Sequence, residues 1–128
     1  MAPEHPYPAA HEDCFEAYSA LTEQGKQIVL VGESSGGVLA LSVMLNAIKT
    51  GLPLPVLCAF LSPLVGYDNP NLDEYADAFA HPDFVRILTQ IYQAGKDPVK
   101  YTLNPLSADF SEFPPLYIMV GKKEILRG

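Results

Sequence analysis

Ser34 is the residue of this sequence that is best placed for covalent chemistry. It is the third residue of the string GESSG at residues 32–36, which matches the pattern Gly-x-Ser-x-Gly. A serine hydroxyl is a weak nucleophile that needs exposure, a general base and donors for the oxyanion that forms. A strand-to-helix turn with this pattern supplies the exposure, because it holds the serine in a strained conformation above the sheet. The string therefore predicts a nucleophile at Ser34, and the alternative is a serine that only caps the helix.

The neighbours of Ser34 take part in the same prediction. Gly32 and Gly36 are expected to be glycines because side chains there would collide with neighbouring backbone. The backbone N–H of Ser35 follows the candidate nucleophile at a helix N-terminus, which favours developing negative charge. Ser35 is therefore the predicted oxyanion donor, and residues 32–36 form the predicted nucleophile elbow.

The elements around this turn have the pattern of a parallel sheet with crossover helices. Three apolar runs predict strands that are buried on both faces, at residues 27–31, 54–61 and 116–120. Three segments predict helices, at residues 11–24, 38–48 and 83–92. The last helix carries one apolar face, which consists of Phe84, Ile87, Leu88 and Ile91. This alternation is typical of the α/β class, and it predicts one domain over residues 1–128.

Charge and composition exclude several kinds of partner. The net charge is −7, and no local cluster of lysine or arginine offsets it. Phosphate backbones and anionic lipids are therefore repelled, so a neutral or apolar small molecule is expected and nucleic acid is not. With 48% hydrophobic and 18% charged residues, the composition is that of a globular protein.

The cysteines and the N-terminal segment bear on redox state and location. Cys14 and Cys58 lie in apolar settings without the spacing of metal ligands, so two buried free thiols and no metal are expected. Residues 1–13 lack the basic and apolar regions of a secretory signal. The apolar stretches are too short or too interrupted by proline to span a bilayer. A cytoplasmic protein is therefore expected.

Several strings, in the same order along the chain, resemble the hormone-sensitive-lipase-like branch of the α/β hydrolases. GESSGG is similar to the family's GDSAGG elbow. Four further strings resemble family segments, namely APEHPYPAA at 2–10, LSPL at 61–64, NPLS at 104–107 and FPPLYI at 113–118. The resemblance implies a partial α/β hydrolase fold without its N-terminal strands and C-terminal helix. It also implies a carboxylesterase or lipase that forms an acyl-serine intermediate with a small ester substrate and uses no cofactor.

The resemblance further implies a catalytic acid at Glu124. The family places this carboxylate three residues after the glycine that ends a strand, and GKKE at residues 121–124 puts Glu124 there. Such a carboxylate holds the catalytic imidazole in its useful tautomer and stabilises the imidazolium. A solvated glutamate in a charged turn is the alternative.

Two catalytic parts of the family have no counterpart in residues 1–128. The family's histidine follows the acid, and its His-Gly-Gly-Gly loop precedes the lead-in string. His5 and His11 are expected to be loop or surface histidines, and His81 is expected to lie at the start of a helix. The chain is therefore expected to be the middle of a longer hydrolase, inactive and poorly folded alone. The alternatives are a non-catalytic relative that binds a small molecule and a nonfunctional remnant.

Overall fold

Helices and strands alternate along the chain in the computed structural model, which describes residues 1–65, 77–96 and 105–127. The helices are α1 (Ala9–Glu23), α2 (Ser35–Thr50) and α3 (Pro82–Gln93). The strands are β1 (Val29–Glu33), β2 (Leu57–Leu61) and β3 (Leu116–Met119). In the described residues, one short 3-10 turn lies before β3, at Pro105–Ser107, and another lies after it, at Ile125–Arg127. The predicted α/β class is confirmed.

The three strands form one parallel sheet in the order β1-β2-β3. In the register, Glu33 lies opposite Leu61, and Leu61 lies opposite Met119. The carboxyl ends of parallel strands meet at one edge of a sheet, so the residues after β1, β2 and β3 are brought together there. This is the edge at which the sequence predicts the chemistry.

Helix α2 lies between the sheet and α1, which explains why its sequence is apolar all round. Against the sheet it packs a cluster of buried residues consisting of Ala40, Leu41, Met44, Cys58 and Phe60. Against α1 it packs a second cluster consisting of Tyr18, Val43 and Ala47. The Tyr18 hydroxyl donates to the Pro53 carbonyl at 2.6 Å, which ties α1 to the segment between α2 and β2. The helix that follows Ser34 is therefore fixed on two sides.

The boundaries of the elements differ from the predicted ones by a few residues. The first strand lies two residues later than predicted, and α2 begins three residues earlier, at Ser35. The second strand begins at Leu57 instead of residue 54. Leu54 packs against the cluster between α1 and α2, and Pro55 has no N–H to donate to a strand ladder. Asn104 of the NPLS string lies outside the described residues.

The prediction that all three strands are buried on both faces is wrong in the described part of the chain. Strands β1 and β2 pack one face against α2, whereas β3 is exposed along its whole length. On the other face the exposed fractions are 51% for Val29, 65% for Val31, 55% for Tyr117 and 52% for Met119. The whole apolar stripe of α3 is also exposed, namely Phe84, Ile87, Leu88 and Ile91. An apolar pattern predicts which side chains require cover, but it does not predict what covers them.

Candidate active site

Ser34 joins β1 directly to α2, with backbone angles φ 51° and ψ −119°. A non-glycine residue with positive φ carries a strain of order 1–3 kcal/mol, which persists only where the surroundings impose it. The residue is exposed at the carboxyl edge of the sheet. The strained, exposed serine turn that the Gly-x-Ser-x-Gly string predicts is therefore present.

Three backbone hydrogen bonds impose this conformation on Ser34. Its N–H donates to the Leu61 carbonyl at 3.1 Å, at the end of the neighbouring strand. Its carbonyl accepts from Gly37 N–H at 3.0 Å and from Leu64 N–H at 2.8 Å. The turn is thus held by β2, by the loop after β2 and by the first turn of α2.

The steric reason for glycine is confirmed at Gly32 and is wrong at Gly36. A Cβ atom at Gly32 would lie 2.5 Å from the Gly36 carbonyl oxygen and 2.9 Å from Gly37 N. A Cβ atom at Gly36 would meet no heavy atom of the described residues within 4 Å, apart from its own helix backbone and chain neighbours. It is the backbone of Gly36 that excludes a side chain at Gly32, and not the reverse.

Gly37 has a steric role that was not predicted from the sequence. A Cβ atom there would lie 2.5 Å from Pro63 Cβ, in the loop after β2. The same residue donates the N–H that binds the Ser34 carbonyl. The sequence signal for this role is the doubled glycine at the end of GESSGG. The second of these glycines lets α2 lie close to the loop after β2, which holds Ser34 in place.

The Ser34 side chain makes no capping hydrogen bond to α2, although Ser34 occupies the N-cap position. This contradicts the alternative in which the serine only caps the helix. Ser35 is the first residue of α2, where backbone N–H groups have no acceptor within the helix. The helix dipole adds partial positive charge at the same place, so an anion beside Ser34 would be stabilised there.

Glu124 lies in a tight turn after β3, at the same edge of the sheet. Its N–H donates to the Gly121 carbonyl at 3.1 Å, and its side chain is half-buried. The carboxylate folds over Gly121, since a Cβ there would lie 2.5 Å from Glu124 Oε1. Strand β2 separates β1 from β3, so the two strand ends are about 9–10 Å apart. At that separation, the Glu124 carboxylate could act on the Ser34 hydroxyl only through a third group.

None of the hydrogen bonds described for the three histidines reaches Ser34 or Glu124. His5 is exposed in the lead-in, as predicted. His81 caps α3 by accepting from Asp83 N–H at 3.3 Å, as predicted.

The prediction for His11 is wrong, because His11 is neither a loop nor a surface residue. It lies in α1 with 4% of its surface exposed, and its Nδ1 is 2.6 Å from the Tyr92 hydroxyl. The two rings stack with centroids 5.9 Å apart. Burial, and then the neighbouring Cys14 and Tyr7, raise the pKa of Tyr92 to about 12. Because histidine is a polar residue type, the sequence did not predict that His11 lies on the inner face of α1.

The two cysteines are free, as predicted, but only Cys58 is fully buried. Burial raises the pKa of the Cys58 thiol to about 11, and it also raises the pKa of Cys14, with Asp13 adding to the effect. Within the described ranges, no group of three or more histidine, cysteine or acidic residues could hold a metal ion. None of the described helices has the length and apolar character that crossing a membrane requires.

Comparison with known proteins places this arrangement among hydrolases. The family model described as alpha/beta hydrolase fold matches residues 1–128. An acetyl-hydrolase of Streptomyces hygroscopicus is 32% identical over 131 residues, which cover 97% of this chain and 44% of the relative. The matches confirm the resemblance to hormone-sensitive-lipase-like esterases.

Solved structures agree with the sequence matches. The esterase EstE5, in crystals soaked with p-nitrophenyl butyrate, superimposes with a TM-score of 0.90 at 36% identity over 99% of this chain. An esterase from the bacterial hormone-sensitive lipase family gives a TM-score of 0.90 at 33% identity over 98% of this chain. This chain covers 45% of each of these structures, so the predicted partial fold is confirmed.

Proposed function

The chain belongs to the alpha/beta hydrolase fold family, and from this premise we propose that it carries the nucleophile and the acid of a carboxylic ester hydrolase. The observation that supports this most directly is the backbone of Ser34, which is strained, exposed and braced by three hydrogen bonds. A serine that served only the fold would not require a positive φ. Residues 1–128 would form part of a single hydrolase domain.

In the proposed reaction, Ser34 Oγ bonds to the carbonyl carbon of the ester while its proton passes to a histidine. The alkoxy C–O bond then breaks, and the alcohol leaves with that proton. Water attacks the acyl-serine in the same way, which releases the carboxylic acid and restores Ser34. The N–H of Ser35 would stabilise the oxyanion in both steps, with the dipole of α2 behind it.

Glu124 would orient the histidine and stabilise its protonated form. Its place beyond β3 supports this role, because an imidazole between the ends of β1 and β3 could contact both Glu124 and Ser34. His11 and His81 are engaged with Tyr92 and Asp83, respectively. We therefore propose that the histidine comes from polypeptide outside residues 1–128. The relatives are more than twice as long as this chain, so they contain polypeptide that could supply such a histidine.

Short acyl esters are the proposed substrates. The relatives include an acetyl-hydrolase, and crystals of EstE5 were soaked with p-nitrophenyl butyrate. Acetyl and butyryl groups are both short and uncharged, which suits a chain whose net charge of −7 disfavours anionic substrates. p-Nitrophenyl acetate and butyrate are therefore the appropriate assay substrates.

A chimera with EstE5 tests the proposal. In this protein, called the EstE5 chimera below, residues 1–128 replace the matching 45% of EstE5. A fluorophosphonate probe is expected to label Ser34, with the modified peptide identified by mass spectrometry. Ser34→Ala should abolish labelling and ester hydrolysis, with a loss of turnover approaching a millionfold.

Ser35→Ala is the matched control. It removes the neighbouring hydroxyl but keeps the backbone N–H that is proposed to bind the oxyanion, so labelling should persist. Absence of label at Ser34 in a folded chimera, under conditions that label EstE5 itself, would refute the proposed nucleophile. Persistence of label in Ser34→Ala would refute it equally.

A further inference from the structure

The Asp77 carboxylate reaches across the fold to the backbone next to Glu124. Its Oδ2 accepts the N–H of Ile125 at 2.9 Å, although the two residues are 48 positions apart in the sequence. No local pattern in the sequence indicates this contact. Ile125 itself has a fully buried side chain, so the peptide that Asp77 binds is anchored on both sides.

The other oxygen of Asp77 fixes the segment that leads into α3. Oδ1 accepts from Phe79 N–H at 2.7 Å and from Ala80 N–H at 3.0 Å. One carboxylate therefore connects residues 77–80 with the turn that contains Glu124. These three N–H groups, Ile125 first, hold the pKa of Asp77 below its ordinary value, so the residue is ionised at neutral pH.

The remaining backbone hydrogen bonds of the Glu124 turn are local. Glu124 N–H donates to Gly121, and the Glu124 carbonyl accepts from Arg127 N–H at 3.2 Å. The Arg127 side chain donates to the Lys122 carbonyl at 3.1 Å. Among the hydrogen bonds of the described residues, the one from Ile125 to Asp77 is the long-range tie of this turn.

We propose that Asp77 is a positioning residue that holds Glu124 in the geometry needed to orient the catalytic histidine. This role rests on the proposed function, because it acts through Glu124. A carboxylate that accepts an N–H makes a charge-assisted bond, which is stronger than a bond between neutral groups. A displacement of about 1 Å in a positioned catalytic group can cost on the order of a hundredfold in rate.

A double-mutant cycle in the EstE5 chimera tests the role. Asp77→Asn keeps the size of the side chain but replaces one accepting oxygen with a donating NH₂ group. It is expected to lower kcat for p-nitrophenyl butyrate by roughly tenfold to a hundredfold, with KM unchanged. In a Glu124→Gln background the same substitution should cause no further loss, because the group it positions is already lost.

Asp109→Asn is the matched control. Asp109 accepts Ser111 N–H at 2.9 Å and has a lowered pKa for that reason, but it does not bind the Glu124 turn. It should leave kcat unchanged. An equal loss from Asp77→Asn in both Glu124 backgrounds would overturn the proposal, since it would indicate a general structural effect. Unchanged kcat in Asp77→Asn would overturn it as well.

Failure of this proposal can be distinguished from failure of the proposed function. If Ser34 is labelled and required but Asp77→Asn has no effect, only the positioning role is lost. If Glu124→Gln leaves kcat unchanged, the proposals that Glu124 is the acid and that Asp77 positions it are both refuted, while the proposal that Ser34 is the nucleophile is retained.

Amide hydrogen exchange in the EstE5 chimera gives a second readout, and it needs no activity. Asp77→Asn should speed exchange at Ile125, because both oxygens of Asp77 accept N–H groups and asparagine keeps only one accepting oxygen, whereas Asp109→Asn should leave Ile125 protected. Unchanged protection of Ile125 in Asp77→Asn would overturn the proposal.

Discussion

Two glycines that flank Ser34 look alike in the sequence but are predicted to respond oppositely to alanine. At Gly32, the new Cβ would lie 2.5 Å from the Gly36 carbonyl oxygen and 2.7 Å from its carbonyl carbon. Both are backbone atoms of α2, so no side-chain rotation can relieve the contact. At Gly36, the new Cβ would meet nothing within 4 Å in the described structure beyond its own helix.

The magnitudes follow from these contacts. Overpacking costs about 1–3 kcal/mol, and Gly32→Ala belongs at the upper end because α2 must move away from the sheet. Gly36→Ala lies inside the first turn of α2 and should be neutral or stabilising by roughly 0.5–1 kcal/mol, since alanine loses less conformational entropy in a helix. The free energies of unfolding of the two variants should therefore differ by about 3 kcal/mol.

Urea denaturation of the EstE5 chimera, followed by circular dichroism, measures the difference. The midpoint for Gly32→Ala should fall by roughly 1 M relative to Gly36→Ala. Gly32→Ala should also reduce fluorophosphonate labelling, because the displacement of α2 changes the backbone of Ser34. Equal midpoints for the two variants would refute the steric reasoning.

Three further predictions concern groups outside the proposed site. The Cys58 thiol, with its pKa raised to about 11, should resist iodoacetamide at pH 8 until the chain unfolds, and reaction in the native state would contradict its burial. Because the pKa of Tyr92 is higher in the folded chain, at about 12, than in the unfolded chain, at about 10, its contribution to stability is complete below pH 10 and is lost as the pH rises towards 12. Denaturation at several pH values should show that Tyr92→Phe reduces this alkaline loss, and an unchanged slope would argue against it. The isolated 128-residue chain should self-associate through its uncovered sheet face, and Val31→Lys with Tyr117→Lys should raise the monomer fraction in sedimentation velocity. A monomeric wild-type sample with a sharp thermal melt would contradict this.

The elements could be predicted from sequence where a local pattern was sufficient. Helix α2 and the turn at Ser34 follow from residues that are adjacent in the chain. Local patterns failed where distant contacts decide. Leu54 has the residue type of a strand, yet it packs beside α1, and His11 has the residue type of a surface position, yet it is buried against Tyr92.

The residues of the candidate site also differ in whether a local sequence pattern could predict them. The position of Ser34 was predictable because one residue must reverse the chain between a strand and a helix. The position of Glu124 came from a family resemblance, since a glutamate in a charged turn has no chemical signature of its own. Asp77 was missed, because its partner at Ile125 is brought near only by the completed fold.

The strained backbone of Ser34 has an evolutionary consequence. Glycine adopts φ 51° with less cost than any residue with a side chain, so selection on folding stability alone would replace Ser34 with glycine. All three hydrogen bonds that hold this residue use main-chain atoms, and they would survive that exchange. A lineage released from the proposed catalysis should therefore drift to glycine at position 34 while it keeps Gly32, on which the helix packing depends.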